Sequence, residues 1–245
     1  MTSFSSPYPI ADILFTLYLL VYFPLSSVWR SRHPAASKPS LAPLRSYWRE
    51  GRYVLLLLCV FMPVAWLGGH SAAELGLGPP LSPGGLWGLA AVGCLLLVVH
   101  LLGKRHERRI TPEERVKLDD KLRNLPFPVP RTRTETLACL VTMVGMTAAW
   151  ELLFRGYLLL VLTPVTGPPL AVALAAVSYG AGHGYKNPMQ FFGSIAASFA
   201  FTIGYAVSGN LWWLIVLHAA VPVAMVHAAR KRAPAPSPST DVVKV

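Results

Sequence analysis

Seven stretches of this chain are apolar enough to cross a bilayer, and most of its lysine and arginine falls in the gaps between them. A helix spanning the hydrocarbon core needs about 20 predominantly apolar residues. The stretches lie near Ile10–Val28, Tyr53–Leu67, Leu86–Leu102, Thr136–Leu162, Pro169–Gly184, Met189–Val207 and Leu211–Ala229. The sequence therefore predicts an all-α fold, a polytopic membrane helix bundle with about seven transmembrane helices. The second stretch is short, which suggests a tilted or partly interfacial segment. The fourth is long and should tilt or extend beyond the lipid.

Composition agrees. Hydrophobic residues make up 53% of the chain and charged residues 13%, about half the charged share of a soluble domain. A net charge of +11 raises the question of nucleic acid, and the placement of the charge answers it. Of 22 Lys and Arg, six lie between Arg30 and Arg52, ten between Lys104 and Arg133, and four at or after Arg230. No nucleic-acid motif and no interleaving of aromatic with basic residues accompanies them, so membrane lipid and not nucleic acid is the expected partner. The first, third and fifth loops carry the cations while the second, fourth and sixth carry none. The positive-inside rule then sets the N-terminus outside and the C-terminus in the cytoplasm. Short loops and the absence of an organellar transit peptide favour a bacterial inner (plasma) membrane, and the first apolar run, with no basic region before it, is not expected to be a cleaved signal. Cys59, Cys94 and Cys139 fall within the apolar stretches and are expected to be small buried residues, not a disulfide or metal set.

Two segments carry local signals of their own. Thr111-Pro112-Glu113-Glu114 is a capping box with proline at the first helical position, so a short helix should run from there to about Asn124. Pro126, Pro128 and Pro130 prevent its continuation. Residues 230–245, rich in Pro, Ala and Ser beyond Arg232, are expected to form a disordered cytoplasmic tail.

Against that apolar background the ionisable residues stand out. From Thr136 to Thr240 the one acidic residue is Glu151, with Arg155 a helical turn further on. A charge at the bilayer centre costs about 2.5–3.5 kcal/mol on insertion scales, which makes such residues functional candidates. Four apart, Glu151 and Arg155 share a helix face and can pair, although a purely structural ion pair fits the same spacing. Tyr179 and His183 are likewise four apart, with Gly180, Gly182 and Gly184 thinning the helix around them. His218 lies in an apolar run, and Pro222 deprives its carbonyl of the usual helical partner. A freed carbonyl in lipid must be satisfied by protein or water, so a wet cavity and a simple packing kink are both open there.

The order of these residues is more specific than any one of them. Trp-Glu-x-x-x-Arg-Gly at Trp150–Gly156 is followed by Tyr-x-x-x-His at Tyr179–His183 and by Asn210-Leu211-Trp212 leading to His218. From Thr134 to about Val223 the chain resembles the core of the CPBP family, the CAAX prenyl and bacteriocin-processing (Abi) intramembrane proteases. That family's pattern is Glu-Glu-x-x-x-Arg, Phe-x-x-x-His and His-x-x-x-Asn/Asp on successive helices. Here Trp150 stands for the first glutamate, Tyr179 for the phenylalanine and Pro222 for the final Asn/Asp. The resemblance implies three regions: N-terminal helices and basic loops (1–133), a protease-like core (134–229) and the tail (230–245).

It also implies an intramembrane peptidase cleaving a membrane-embedded or lipid-modified peptide. Glu151 and His183 would activate the water, His218 would stabilise the oxyanion, and Arg155 and Tyr179 would support them. The family is also described as metal-dependent, so Glu151, His183 and His218 are candidate ligands for a divalent metal such as zinc. No His-Glu-x-x-His run is present. Trp150 and Pro222 keep a second reading open, a catalytically inactive relative acting as a membrane binding or scaffold protein. A transporter is a third, since seven spans with a buried ion pair would also suit it.

Overall fold

The computed structural model describes residues 9–33, 43–123 and 128–232. Helix α1 covers Ile10–Arg32 and α2 Pro43–Leu67. A π-helical turn at Ala73–Leu77 leads to α3, Pro83–Glu107, and then to the short α4, Pro112–Arg123. The longest helix, α5, covers Arg133–Thr166 and is followed by α6 (Pro168–Gly182) and α7 (Pro188–Ser208). Helix α8 is Trp212–Arg232. Six of these helices are long and apolar enough to cross a membrane, and α6 is a shorter apolar helix. The described residues form a polytopic helical bundle with no strand among them.

Chain chemistry sets the helix ends. Proline occupies the first position of α3, α4, α6 and α7, where its fixed φ suits a helix and its missing N–H is not needed. Thr132 and Glu135 close a reciprocal capping box on α5. Thr111 and Glu114 do the same ahead of α4, as the sequence predicts. The expected end of that helix at Asn124, and the tail after Arg232, lie outside the described residues.

Helix α5 is central, packing on α2, α6 and α8 as well as on the Ala73–Leu77 turn. Its late half supplies the core: Leu153, Phe154, Tyr157 and Leu158 are fully buried. Outward-facing Leu55, Leu56, Leu97, Val98, Leu101 and Leu102 stay exposed, as they would on a surface whose solvent is lipid. The broadest helix contact, α6 on α7, depends on Gly180, where an added Cβ would come within 2.6 Å of the Ile195 backbone.

Two expectations need correcting. The second span is not short: α2 has 25 residues and starts at Pro43. Arg45, Arg49, Glu50 and Arg52 hide its opening turns from a hydropathy reading, while buried Tyr47 packs them near Cys139 on α5. Cys139 is buried as expected, but Cys59 and Cys94 are exposed on the outside of the bundle, and all three thiols are free.

Candidate active site

Glu151 ends the regular part of α5, and the next turn, Leu152–Tyr157, is π-helical. Such widened turns occur frequently at functional sites. Glu151 and Arg155 are both fully buried, and Arg155 Nη1 donates to Glu151 Oε1 at 3.2 Å. The other guanidinium arm, Nη2, donates to Ser198 Oγ of α7 at 3.2 Å. The guanidinium carbon sits 3.8 Å from the centre of the Tyr179 ring of α6, close enough for cation–π attraction. One arginine thus ties α5, α6 and α7 together around one carboxylate.

From α8, His218 brings Nδ1 to 2.5 Å from Glu151 Oε1. The approach is short, yet Nδ1 is not aligned for a hydrogen bond. Phe201 braces the imidazole edge-on at 4.7 Å between ring centres. Glu151 Oε2, Arg155 Nε and Thr202 Oγ1 are also buried without a hydrogen-bond partner among the described residues. Leaving such groups unpaired costs about 1–3 kcal/mol each, so the site is held by packing against its own local preference.

His183 follows the last residue of α6, with its ring edge-on to Tyr179 at 5.0 Å and its Nδ1 3.1 Å from the Tyr179 carbonyl. The positive φ of Gly184 turns the chain there, and Tyr185 N–H donates to Ser31 Oγ of α1 at 2.7 Å. Both imidazoles line one cavity of about 630 Å³, shared with Trp150, Tyr179, Thr147 and Pro222. Exposed Arg49 and Glu50 of α2 are also on its wall, so it reaches the surface at the basic end of the bundle. Glu151 is not on that wall; it lies behind His218. A second opening of about 220 Å³, between Phe23 and Ser27 of α1 and Gly182 of α6, reaches the same Trp150, Tyr179 and His183. An apolar groove of about 400 Å³ between α2 and α5 shares Tyr47, Thr142 and Met146 with the main cavity.

The fold therefore gathers every residue singled out in the sequence: Glu151, Arg155 and His218 in direct contact, Tyr179 on Arg155, and His183 on the shared cavity. A metal site fits less well. No three of His, Cys, Asp and Glu among the described residues are grouped so as to hold an ion, and Glu151, His183 and His218 are no exception.

Two groups were missed in the sequence. Ser198 carries no signal, being an ordinary serine in an apolar helix. Asp12 did carry one, as a carboxylate inside the first apolar run. It is fully buried, accepts from Tyr157 Oη at 3.0 Å, and faces His70 Nε2 at 3.2 Å.

Residues 132–224 match the family model "Rce1-like: Type II CAAX prenyl endopeptidase Rce1-like". The match begins at the Thr132 cap of α5 and ends two residues past Pro222, so the Rce1-like segment holds Glu151, Arg155, Tyr179, His183, Ser198 and His218 alike. It bears out the resemblance to the CAAX-protease family, and the α1–α4 region lies outside the matched residues. No curated protein and no solved structure matches the chain.

Proposed function

We propose that this is an intramembrane peptidase of the CAAX-protease type, in which His218, backed by Glu151, activates the attacking water. The observation that carries this reading is the contact between a fully buried carboxylate and an imidazole that fronts a surface-reaching cavity. With Nδ1 turned to Glu151, the tautomer that leaves Nε2 free as an acceptor can take a proton from water in the cavity. The resulting hydroxide attacks the scissile carbonyl, and Glu151 stabilises the imidazolium that forms. Nε2 then returns its proton to the leaving amine as the C–N bond breaks. His183 faces the same water from α6 and orients it. Arg155 holds the Glu151 carboxylate in place. No step runs through a metal, because the described residues offer no three-donor set.

The substrate fits the surroundings as a lipid-modified or membrane-embedded peptide: the cavity takes the backbone, and the apolar groove between α2 and α5 takes a lipid chain. The cavity reaches the surface beside the Arg49 end of α2. With basic loops inside, that end is cytoplasmic, the N-terminus is outside, and the membrane is a bacterial inner membrane. Purified protein in nanodiscs with a prenylated peptide tests the reading. Turnover should be lost in Glu151→Gln, His183→Ala and His218→Ala, and full turnover in all three would refute it.

One observation favours a second reading. Trp150 and Pro222, which stand where the resemblance has a glutamate and Asn/Asp, both line the cavity, and neither can accept a proton. A non-catalytic relative that binds a membrane partner would tolerate both. Hydrolysis gained by Trp150→Glu with Pro222→Asn, from an inert parent, would establish that alternative.

A further inference from the structure

The tetrahedral species of peptide hydrolysis needs a hydrogen-bond donor aimed at its oxyanion, and such donors commonly supply the largest single share of the rate. The wall of the cavity carries several donors, Arg49, Thr142 and Thr147 among them. Arg155 is fully buried and is not on that wall. His218 and His183 are engaged with the water in the mechanism above. Trp150 packs its indole, tilted, against Phe23 at 4.7 Å between centres.

Tyr179 is differently placed. Its ring is gripped on one face by the Arg155 guanidinium and at its edge by His183. It thereby touches both halves of the site, the arginine that holds the Glu151–His218 pair and the imidazole opposite. Phe154 packs edge-on as well, at 5.2 Å between centres, so the ring is fixed by three neighbours. Tyr179 lines the main cavity and the second opening alike. The resemblance has phenylalanine at this place. The ring therefore answers the packing, and the hydroxyl, which the Arg155 side chain approaches, is an addition of this chain.

We infer that the Tyr179 hydroxyl is a catalytic residue, donating the hydrogen bond that stabilises the oxyanion formed when the His218-activated water attacks. The inference rests on the peptidase reading above. It also explains how a chain with Trp150 and Pro222 at two motif positions retains a polar donor at the reacting carbonyl.

Tyr179→Phe tests it cleanly, because the ring and its stacking survive while only the hydroxyl goes. The full chain in nanodiscs, supplied with a prenylated peptide, should lose about 10²–10³-fold in kcat, the usual effect of deleting one oxyanion donor. KM should stay within about twofold, since the donor acts in the transition state alone. Thermal stability should be that of the parent. A kcat within about threefold of the parent overturns the inference, as does an effect confined to KM. A variant that loses thermal stability together with peptide binding marks the hydroxyl as structural and overturns it too. If the parent itself shows no turnover, the peptidase reading fails and this inference falls with it, whereas an active parent with an active Tyr179→Phe variant sinks the inference alone.

Discussion

His218 Nδ1 lies 2.5 Å from Glu151 Oε1, although the two residues are 67 positions apart on α8 and α5. The carboxylate has no exposed surface while the imidazole keeps about a fifth of its own, so the histidine stands between the acid and the cavity. In the mechanism proposed above, that order suits His218 to proton transfer and Glu151 to its orientation. Glu151→Gln preserves shape but can no longer stabilise the imidazolium. Its kcat should fall by about 10²–10⁴-fold, the range of a general-base contribution, with KM little changed. Steady-state kinetics on a prenylated peptide decides it, and an unchanged kcat would remove Glu151 from the mechanism.

The Glu151–Arg155 pair is also a stability element. Arg155→Met strips a buried carboxylate of its guanidinium, and breaking a buried pair from one side costs about 3–5 kcal/mol. Adding Glu151→Leu removes the stranded charge, so the double variant should recover most of that loss. Unfolding in detergent micelles would show it. Additive losses in the double variant would mean that the two side chains do not depend on each other.

How much of this was legible in the sequence differs residue by residue. Hydropathy located every membrane-scale helix because lipid allows few solutions for the backbone. It misplaced the start of α2, where the cations from Arg45 to Arg52 mask helical turns beside the cavity mouth. Spacing put Arg155 on the face of Glu151. The π-helical turn at Leu152–Tyr157, which carries Arg155 onto Ser198 and Tyr179, has no pattern that a 3.6-residue period reveals. Motif order brought His183 and His218 together but left their relation to Glu151 open, since which imidazole meets the acid depends on how α6 and α8 pack. The rule that singles out Glu151 applies equally to Asp12, a carboxylate inside the first apolar run.

Metal dependence follows from donor geometry. Among the described residues no three candidate ligands are grouped to hold an ion, so a chelator should leave turnover within about twofold of the untreated enzyme. Loss of turnover on chelation, restored by zinc, would show that the donors rearrange around an ion.

The apolar groove beside the cavity predicts a selective effect on lipid recognition. Gly145 of α5 lines it, and a Cβ added there meets nothing within 4 Å. Gly145→Trp should therefore fold, fill the groove and compete with a lipid chain. KM for a prenylated peptide should rise by about tenfold or more, the loss of roughly two buried methylenes at about 0.8 kcal/mol each, while the same peptide without its lipid is unaffected. An equal effect on both peptides would place the lipid elsewhere.

The second buried acid makes a different prediction, one about folding. Asp12 holds three elements together: it belongs to α1, accepts from Tyr157 of α5, and faces His70 in the loop after α2. Gly68 permits the approach, since a Cβ there would lie 2.5 Å from His70 Nε2 and 2.7 Å from Asp12 Oδ2. His70→Ala should destabilise the protein by about 1–3 kcal/mol, because a fully buried acceptor loses a neighbouring donor. Asp12→Asn retains an oxygen for the Tyr157 hydroxyl and removes the carboxylate that rewards His70, so His70→Ala should cost less in that background. Contacting groups couple by about 0.5–3 kcal/mol in a double-mutant cycle. Unfolding of the four proteins in the same detergent gives that coupling directly, and additivity would mean that the loop after α2 is held by its Ser71–Glu74 turn and backbone contacts instead.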